Sequence, residues 1–218
     1  MNVKLISYST PSEDLQSLGL QTLSDLIAYV ARVSNPENQI NTETAPRLLN
    51  YLQKHGHWSP FEMAWVCMEI NTTRDIARQI LRHRSFSFQE FSQRYSIVPT
   101  EWEIRETRLQ DTKNRQNSIE STNENLNELW ATLQKELALH AQDVYNSALE
   151  NGIAKEQARA VLPEGMTPSR LYMAGTVRSW LHYVELRSAN GTQKEHQKIA
   201  QTCGQILFEL LNGKKDES

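Results

Sequence analysis

The sequence predicts an α+β protein in which helices, one of them long, flank a mixed or antiparallel sheet. Residues 3–8, 61–70 and 169–177 are short alternating or apolar segments of the kind found in strands. Residues 118–151 carry apolar side chains at helical spacing over many turns. The chain contains neither a Gly-x-Gly-x-x-Gly nor a Walker loop, so we expect no Rossmann unit.

The first part of the chain opens with the strand over residues 3–8, followed by two helices. The first helix is predicted over 22–33, with Thr22 or Ser24 as its N-cap. The second is predicted over 42–55. These elements supply apolar faces for one core.

A third helix is predicted over residues 73–83, directly after the strand over 61–70. Asp75 lies in its first turn, where a carboxylate favours the positive end of the helix dipole. One face of this helix carries arginines four residues apart, namely Arg74, Arg78 and Arg82.

The second half of the chain is expected to be mainly helical. It begins with residues 100–125, which are polar and charge-mixed and are predicted to form a surface excursion. The elements that follow are the long helix over 118–151, a short helix over 154–161, the strand over 169–177, and helices over 177–187 and 192–211. We expect a single domain over 1–218 that ends in a solvated tail at 212–218.

Composition excludes several classes of protein. Against 26 acidic residues there are 23 Lys and Arg, giving a net charge of −3, which argues against a general nucleic-acid binder. The two cysteines, Cys67 and Cys203, have no paired spacing, so neither a disulfide framework nor a zinc knuckle is indicated. The first residues lack the long apolar run that is typical of a signal peptide, and no stretch approaches the length of a membrane span. We therefore predict a cytoplasmic protein without nucleic-acid or membrane partners.

Residues 82–95 are the most informative segment of the chain. They combine arginines, a histidine, a carboxylate and serine hydroxyls with several aromatic rings. Guanidinium groups bind phosphate oxygens, and aromatic rings provide flat apolar walls. The combination favours an anionic ligand that carries a ring, such as a nucleotide, and Gln79 could reach the same ligand. The alternative is a solvated basic turn.

Two further clusters allow a functional and a structural interpretation. His55, His57 and Glu62 could bind zinc or iron in a hydrolase. Alternatively, the two histidines could cap the carbonyls of a helix end. Because the sequence contains no further ligand motif, we predict no bound metal. On the helix over 177–187, Arg178 and His182 share a face, and Glu185 could pair with either. An ordinary amphipathic helix also explains that pattern.

The segment 82–95 resembles the signature of the flavin-dependent thymidylate synthases, the ThyX family. That signature reads Arg-His-Arg-x-x-Ser-x-Asn-Glu-x-Ser-x-Arg-Tyr, and the chain departs from it at Gln89, where asparagine is usual. The matching positions are Arg82, His83, Arg84, Ser87, Glu90, Ser92, Arg94 and Tyr95.

Further segments resemble other patterns of this family. The family's His-x-(Thr/Ser)-x-x-Glu patch matches at His57, Ser59 and Glu62, and the arginine before Leu-Pro matches at Arg159. The Asn-x-Arg-x-x-x-Asn-x-x-x-x-Arg pattern matches at its arginines, with other residues in place of both asparagines. The matching arginines are Arg178 and Arg187, and the departures are Thr176 and His182.

The resemblance implies a role for each matching position. Arg187 would be the catalytic residue, placed against the pyrimidine to favour its ionisation at N3. The residues that would bind dUMP are Gln79, Ile80, Leu81, Arg82, Glu90, Phe91, Ser92, Gln93, Arg94, Arg159 and Arg187. Those that would bind FAD are Ser59, Arg82, His83, Arg84, Glu90, Thr176, Arg178 and His182, with His57, Glu62 and Gln89 beside them.

The resemblance also implies the fold, the reaction and the assembly. The fold would be ThyX-like, and the reaction would be reductive methylation of dUMP to dTMP. FAD would be tightly bound, with 5,10-methylenetetrahydrofolate and NADPH as co-substrates. The protein would be a homotetramer with active sites shared between chains, and Arg159 would reach the phosphate in a neighbouring subunit. The alternative is a non-catalytic nucleotide-binding protein of the same fold.

Overall fold

The centre of the fold is a four-stranded sheet, seen in a computed structural model that describes residues 1–99 and 101–212. All strand pairs in it are antiparallel, and the strand order is β1-β2-β6-β3. The four strands are β1 (Asn2–Tyr8), β2 (Trp65–Thr73), β3 (Ser87–Glu90) and β6 (Pro168–Thr176). A hairpin of β4 (Arg108–Gln110) and β5 (Ser118–Glu120) lies outside this sheet. The predicted α+β class is confirmed, and the sheet is antiparallel.

Helices account for most of the remaining structure. They are α1 (Glu13–Ser17), α2 (Leu23–Ala31), α3 (Ala45–Lys54), α4 (Arg74–Ile80), α5 (Glu124–Glu150), α6 (Lys155–Ala158), α7 (Val177–Ser188) and α8 (Lys194–Asn212). Within the described ranges, none of these helices is long and apolar enough to cross a membrane. Nearly all of the predicted tail, residues 213–218, lies outside the described residues.

The core lies on one face of the sheet. On β2, Val66, Met68 and Ile70 are buried, and they alternate with half-buried Cys67 and Glu69. This alternation places every second side chain against the helices, as the period of a strand requires. Helices α2, α3, α4, α7 and α8 contribute the other side of the same core.

The strand predicted over 61–70 begins later than expected. Residues Ser59–Glu62 form a 3₁₀ turn, with Pro60 in its first positions and Phe61 completely buried. Proline is favoured at the start of a helical turn and cannot donate to a strand ladder. The apolar run therefore divides into a turn that inserts Phe61 into the core and a strand that starts at Trp65.

Two predicted helix boundaries also differ from the structure. Helix α5 begins at Glu124 rather than 118, because residues Ser118–Glu120 pair with β4 and the side chain of Asn123 caps the helix by accepting from the Leu126 N–H. Helix α4 ends at Ile80, before the predicted end at 83. Of the two proposed N-caps of α2, Thr22 is the one that caps, in a capping box with Asp25.

Residues 101–123 are connected to the body of the protein through two arginines. Arg105 pairs with Asp75 at 2.9 Å and Arg108 with Glu195 at 2.5 Å, and the side chains of both arginines are largely buried. The Gln134 side chain accepts a hydrogen bond from the Arg105 N–H and donates one to the Arg105 carbonyl. The polar composition of this segment therefore includes buried ion pairs as well as solvated residues.

Helix α8 places a histidine in the core. His196 is completely buried, and its Nε2 lies 3.1 Å from the hydroxyl of the equally buried Tyr183. Burial, assisted by the nearby charge of Arg187, lowers the pKa of His196 to about 4. The ring is therefore neutral at physiological pH and can act as both donor and acceptor.

Gly175→Ala is expected to destabilise the protein. A Cβ at this position on β6 would lie 2.5 Å from Cδ1 of Phe86, a ring that packs edge-on against Trp180. Such overpacking costs about 1–3 kcal/mol, more than the roughly 0.5–1 kcal/mol that alanine gains over glycine within a strand. Chemical denaturation measures the difference. Gly165→Ala is the control, since its Cβ would meet no atom within 4 Å; equal stability of the two variants would contradict the prediction.

Lowering the pH from 7 to 5.5 is expected to reduce the free energy of unfolding by about 1 kcal/mol through His196. Its pKa is about 4 in the folded protein and about 6.5 in an unfolded chain. The unfolded state therefore binds more protons between these values, and stability present above pH 6.5 is lost as the pH falls toward 4. Urea unfolding at both pH values measures the loss. His196→Asn should show a correspondingly smaller pH dependence, and an unchanged dependence would contradict the assignment.

Candidate active site

The segment that matches the signature begins in a turn after α4 and ends on the edge of the sheet. The sequence pattern predicted no strand in this segment, but its Ser87–Glu90 portion is strand β3, which pairs with β6 so that Gln89 lies opposite Tyr172. The Phe91 N–H continues this pairing by donating to the Arg170 carbonyl at 2.8 Å. Backbone hydrogen bonds therefore fix the direction of the side chains in this part of the segment.

Glu90 is held by two partners within the chain. Its Oε1 accepts a hydrogen bond from the Ser169 hydroxyl at 2.7 Å and lies 3.5 Å from the Arg74 guanidinium. Ser169 is buried on β6, and Glu90 itself is half-buried. The carboxylate is thus held in place by side chains of two neighbouring elements.

Arg187 and His83 are 104 residues apart in sequence and in direct contact in the fold. The Arg187 Nε–H donates to His83 Nε2 at 2.9 Å. Burial, with the adjacent Arg187 charge, lowers the pKa of His83 to about 4. The imidazole is therefore neutral and able to accept this hydrogen bond. Helix α7 thus delivers the predicted catalytic arginine to the signature segment.

The carboxamide of Gln79 is held at both ends. Its Nε2 donates to Gln193 Oε1 at 2.8 Å, and its Oε1 lies 3.3 Å from His196 Nδ1. Sequence reasoning did not select His196 or its neighbour Tyr183. The available signal was a histidine at the start of the apolar periodicity of α8, which by itself indicates only a core residue.

A cavity of about 640 Å³ lies beside the start of α7. Four of the predicted flavin-binding side chains line it, and Trp58 contributes an aromatic wall. Those four residues are Glu62, Thr176, Arg178 and His182. Arg178 pairs with Glu62 at 2.5 Å rather than with Glu185, and this hydrogen bond lowers the pKa of the Glu62 carboxyl.

The histidines before β2 do not form a metal site with Glu62. The His55 and His57 rings lie edge-on, 6.4 Å apart, and each also packs near Tyr51. Glu62 is engaged by Arg178. Among the residues described, no group of three or more His, Cys, Asp or Glu side chains is arranged to hold a metal ion.

A second cavity, of about 250 Å³, lies between α4 and the segment before β6. It is lined by arginines of α4 together with two predicted dUMP-binding residues, Gln93 and Arg159. Arg94 does not line this cavity and pairs with Glu156 at 3.2 Å. Within one chain, Gln93 and Arg159 therefore share the cavity, whereas Arg94 lies outside it.

The remaining predicted residues vary in their accessibility. Arg82, Arg84 and Gln89 are exposed in the signature segment, as are His57 and Ser59 in the turn before β2. Ile80 is buried in the core, so a ligand could reach it only through its backbone. Leu81, Phe91 and Ser92 are half-buried. The single chain leaves several of these groups open to solvent.

The larger cavity fits a flavin dinucleotide. Its volume lies within the range typical of ligand sites, which combine apolar walls with a few placed polar groups. Arg178 can donate to a pyrophosphate, and Thr176 and His182 add hydrogen-bonding groups. Trp58 provides an apolar surface for a ring system. In place of two asparagines, Thr176 and His182 thus keep polar atoms at the cavity wall.

Comparisons with known proteins identify the family of this chain. The family model described as "Thymidylate synthase complementing protein" matches residues 20–211. The chain is 51% identical to a probable flavin-dependent thymidylate synthase of Paramecium bursaria Chlorella virus 1, over 95% of this chain and 94% of that protein. It is 48% identical to the flavin-dependent thymidylate synthase of Synechocystis, with the same coverage.

A solved structure also matches the fold. The UMP/dUMP methylase PolB from Streptomyces cacaoi, bound with 5-Br dUMP, superposes with a TM-score of 0.79 at 25% identity. The match covers 96% of this chain and 90% of PolB. With the family model extending over most of the chain, and with relatives near half identity at almost full length, the chain belongs to the family of the flavin-dependent thymidylate synthases.

Proposed function

We propose that this chain is a flavin-dependent thymidylate synthase that catalyses the reductive methylation of dUMP to dTMP. FAD is its cofactor, and 5,10-methylenetetrahydrofolate and NADPH are its co-substrates. One observation carries the proposal: the Arg187 guanidinium is hydrogen-bonded to His83 of the signature segment. Family membership supports the same reaction.

Arg187 is proposed to stabilise negative charge on the pyrimidine. A guanidinium stays protonated at any physiological pH, and a fixed cation favours charge that develops during the reaction. Its Nε–H is already used by neutral His83, so its terminal nitrogens are left to face the uracil ring. Bound FAD supplies the reducing equivalents, while the protein positions both ligands.

Active sites shared between chains are supported by how the predicted phosphate ligands are arranged. Arg94 and Arg159 both contact Glu156, through its carboxylate and its carbonyl respectively. Arg159 also lines the smaller cavity, which neither Ser92 nor Arg94 lines. A dianionic phosphate needs several converging donors. We infer that Arg159 completes the phosphate site of a neighbouring subunit in a homotetramer.

The long helix α5 provides a surface for that assembly. The residues that face the protein include Ala138, Ala141 and Tyr145. Large apolar side chains instead face outward, with exposed fractions from 38% to 66%: Leu129, Trp130, Leu133, Leu137, Leu139 and Val144. Leu129, Leu133, Leu137 and Val144 recur at helical spacing on one face, and exposed apolar surface of this kind is typical of a protein interface.

Two free cysteines, Cys67 and Cys203, agree with the proposed cytoplasmic location.

The proposed reaction predicts a dUMP-dependent flavin spectrum and dTMP formation. Purified protein supplied with FAD should show flavin absorption that shifts when dUMP binds, because both ligands share one site. It should form dTMP when methylenetetrahydrofolate and NADPH are present. Protein that takes up no FAD but binds dUMP would instead be the non-catalytic nucleotide binder.

Arg187→Ala is expected to lower kcat/KM for dUMP by about 10²–10³-fold, the usual effect of removing a preorganised group that stabilises charge. FAD should remain bound, since the cavity beside α7 is lined by other residues. Steady-state kinetics and the absorption spectrum measure both effects. Arg115→Ala, an exposed arginine between β4 and β5, is the matched control. Undiminished turnover in the Arg187 variant would remove this residue from the mechanism.

Leu137→Glu is expected to disrupt the tetramer. Leu137 is 54% exposed on the outer face of α5, and a charge there would be buried without a partner on assembly. Leu18→Glu is the matched control, because Leu18 is also 54% exposed but lies at the end of α1. Light scattering coupled to gel filtration measures both. A tetramer that survives the Leu137 change would locate the interface elsewhere.

A further inference from the structure

We propose that His196 and Gln193 are positioning residues that hold the side-chain amide of Gln79 in a single orientation toward dUMP. This inference rests on the proposed function, in which Gln79 is a dUMP-binding residue. His196 lies on α8, is completely buried and cannot touch a substrate itself. Its effect on the reaction would therefore act through Gln79.

A primary amide has two chemically different ends of almost the same shape. Rotation by 180° about its last bond exchanges a donor for an acceptor with little steric cost, so packing alone does not choose between the two orientations. Gln79 lies at the end of α4, directly before the signature segment. A ligand that reaches it would meet different hydrogen-bonding groups in the two orientations.

The orientation is specified by a chain of hydrogen bonds that starts at two arginines. Arg105 and Arg108 can only donate, and their nitrogens lie 3.6 Å and 2.5 Å from Glu195 Oε1. Burial would raise the pKa of Glu195, but hydrogen bonds from Arg108 and Gln193 and the Arg105 charge bring it below its ordinary value. Glu195 is therefore an ionised, pure acceptor.

Each following contact is determined by the one before it. Glu195 Oε2 requires a donor, so the Gln193 Nε2 must face it, at 2.9 Å. Gln193 Oε1 then faces Gln79 and requires the Gln79 Nε2, at 2.8 Å. Gln79 Oε1 is left facing His196 Nδ1, which must carry a proton. His196 Nε2 is consequently an acceptor for the Tyr183 hydroxyl.

Gln79 therefore offers a ligand one donor and one acceptor at defined positions. One N–H and one oxygen lone pair of its carboxamide are used inside the protein, and the remaining N–H and lone pair are available to a ligand. Reversing the amide would set oxygen against oxygen at Gln193 and N–H against N–H at His196. Because both neighbours are held in place by further hydrogen bonds, only one orientation is satisfied.

Two variants at position 196 separate the donor to Gln79 from the acceptor for Tyr183. Asparagine places its amide nitrogen near the position of Nδ1, so His196→Asn retains the donor to Gln79. Glutamine reaches the position of Nε2, so His196→Gln retains a partner for Tyr183 and loses the donor. We expect the His196→Gln variant to raise KM for dUMP about tenfold, the cost of roughly one hydrogen bond. The His196→Asn variant should stay within about threefold of wild type.

A purely structural role for His196 would give a different result. In that case the KM of both variants would follow their melting temperatures, and the inference would be overturned. The Gln79→Ala background supplies the second control, because without the amide the two position-196 variants should have equal KM. A difference that persists in that background would overturn the inference as well.

The tautomer provides a test that does not need activity. The ¹⁵N chemical shifts of the His196 ring should show a neutral imidazole protonated at Nδ1, and a ring protonated at Nε2 would overturn the inference even if dUMP is turned over. Wild-type protein that shows the Nδ1–H tautomer but neither binds nor methylates dUMP would contradict the proposed function and the dUMP part of the inference. The tautomer would still support the hydrogen-bond chain from Glu195 through Gln193 and Gln79 to His196.

Discussion

The antiparallel pairing of β2 with β6 is the constraint on which the rest of the structure depends. The two strands pair along their whole length, from Trp65 opposite Thr176 to Thr73 opposite Pro168. Helix α4 follows β2 at one end of this ladder, and α7 follows β6 at the other. The strands run in opposite directions, so the two helices start at opposite ends of the sheet, and both pack into the core on its buried face. Their far ends then meet, which brings Arg187 to His83.

The buried face combines apolar packing with neutral polar side chains next to one arginine. Trp180 and Tyr183 on α7 fill the space over the sheet, and the Trp180 indole donates to the Val66 carbonyl. His83 and His196 lie beside them as neutral rings, since burial and the Arg187 charge oppose protonation. A single fixed cation, Arg187, can therefore be held next to two imidazoles without repulsion between charges.

The ion pairs of residues 101–123 connect a polar segment to this interior. Arg105 and Arg108 converge on Glu195, and a buried carboxylate of this kind is tolerated only when it is paired. The same carboxylate accepts a hydrogen bond from Gln193, which in turn accepts one from Gln79. The segment therefore contributes to the order of the site, although none of its residues resembles a binding motif.

Much of the secondary structure followed from local patterns. The alternation in β1, the N-cap at Thr22 and the periodicity of α8 are properties of neighbouring residues, so short-range reasoning was sufficient for them. The boundaries that differed depended on distant partners. The start of β2 was set by the insertion of Phe61 into the core, and the start of α5 was set by pairing of Ser118–Glu120 with β4.

The sequence by itself determined the fold class and the family, because the signature at residues 82–95 is a continuous run whose chemistry can be read without a fold. The predicted roles of its individual residues stay predictions. Tertiary structure alone decided that Arg187 meets His83 and that His196 meets Gln79. These contacts join residues more than 100 positions apart. Their formation depends on strand pairing and helix packing, and no local pattern carries information about such partners.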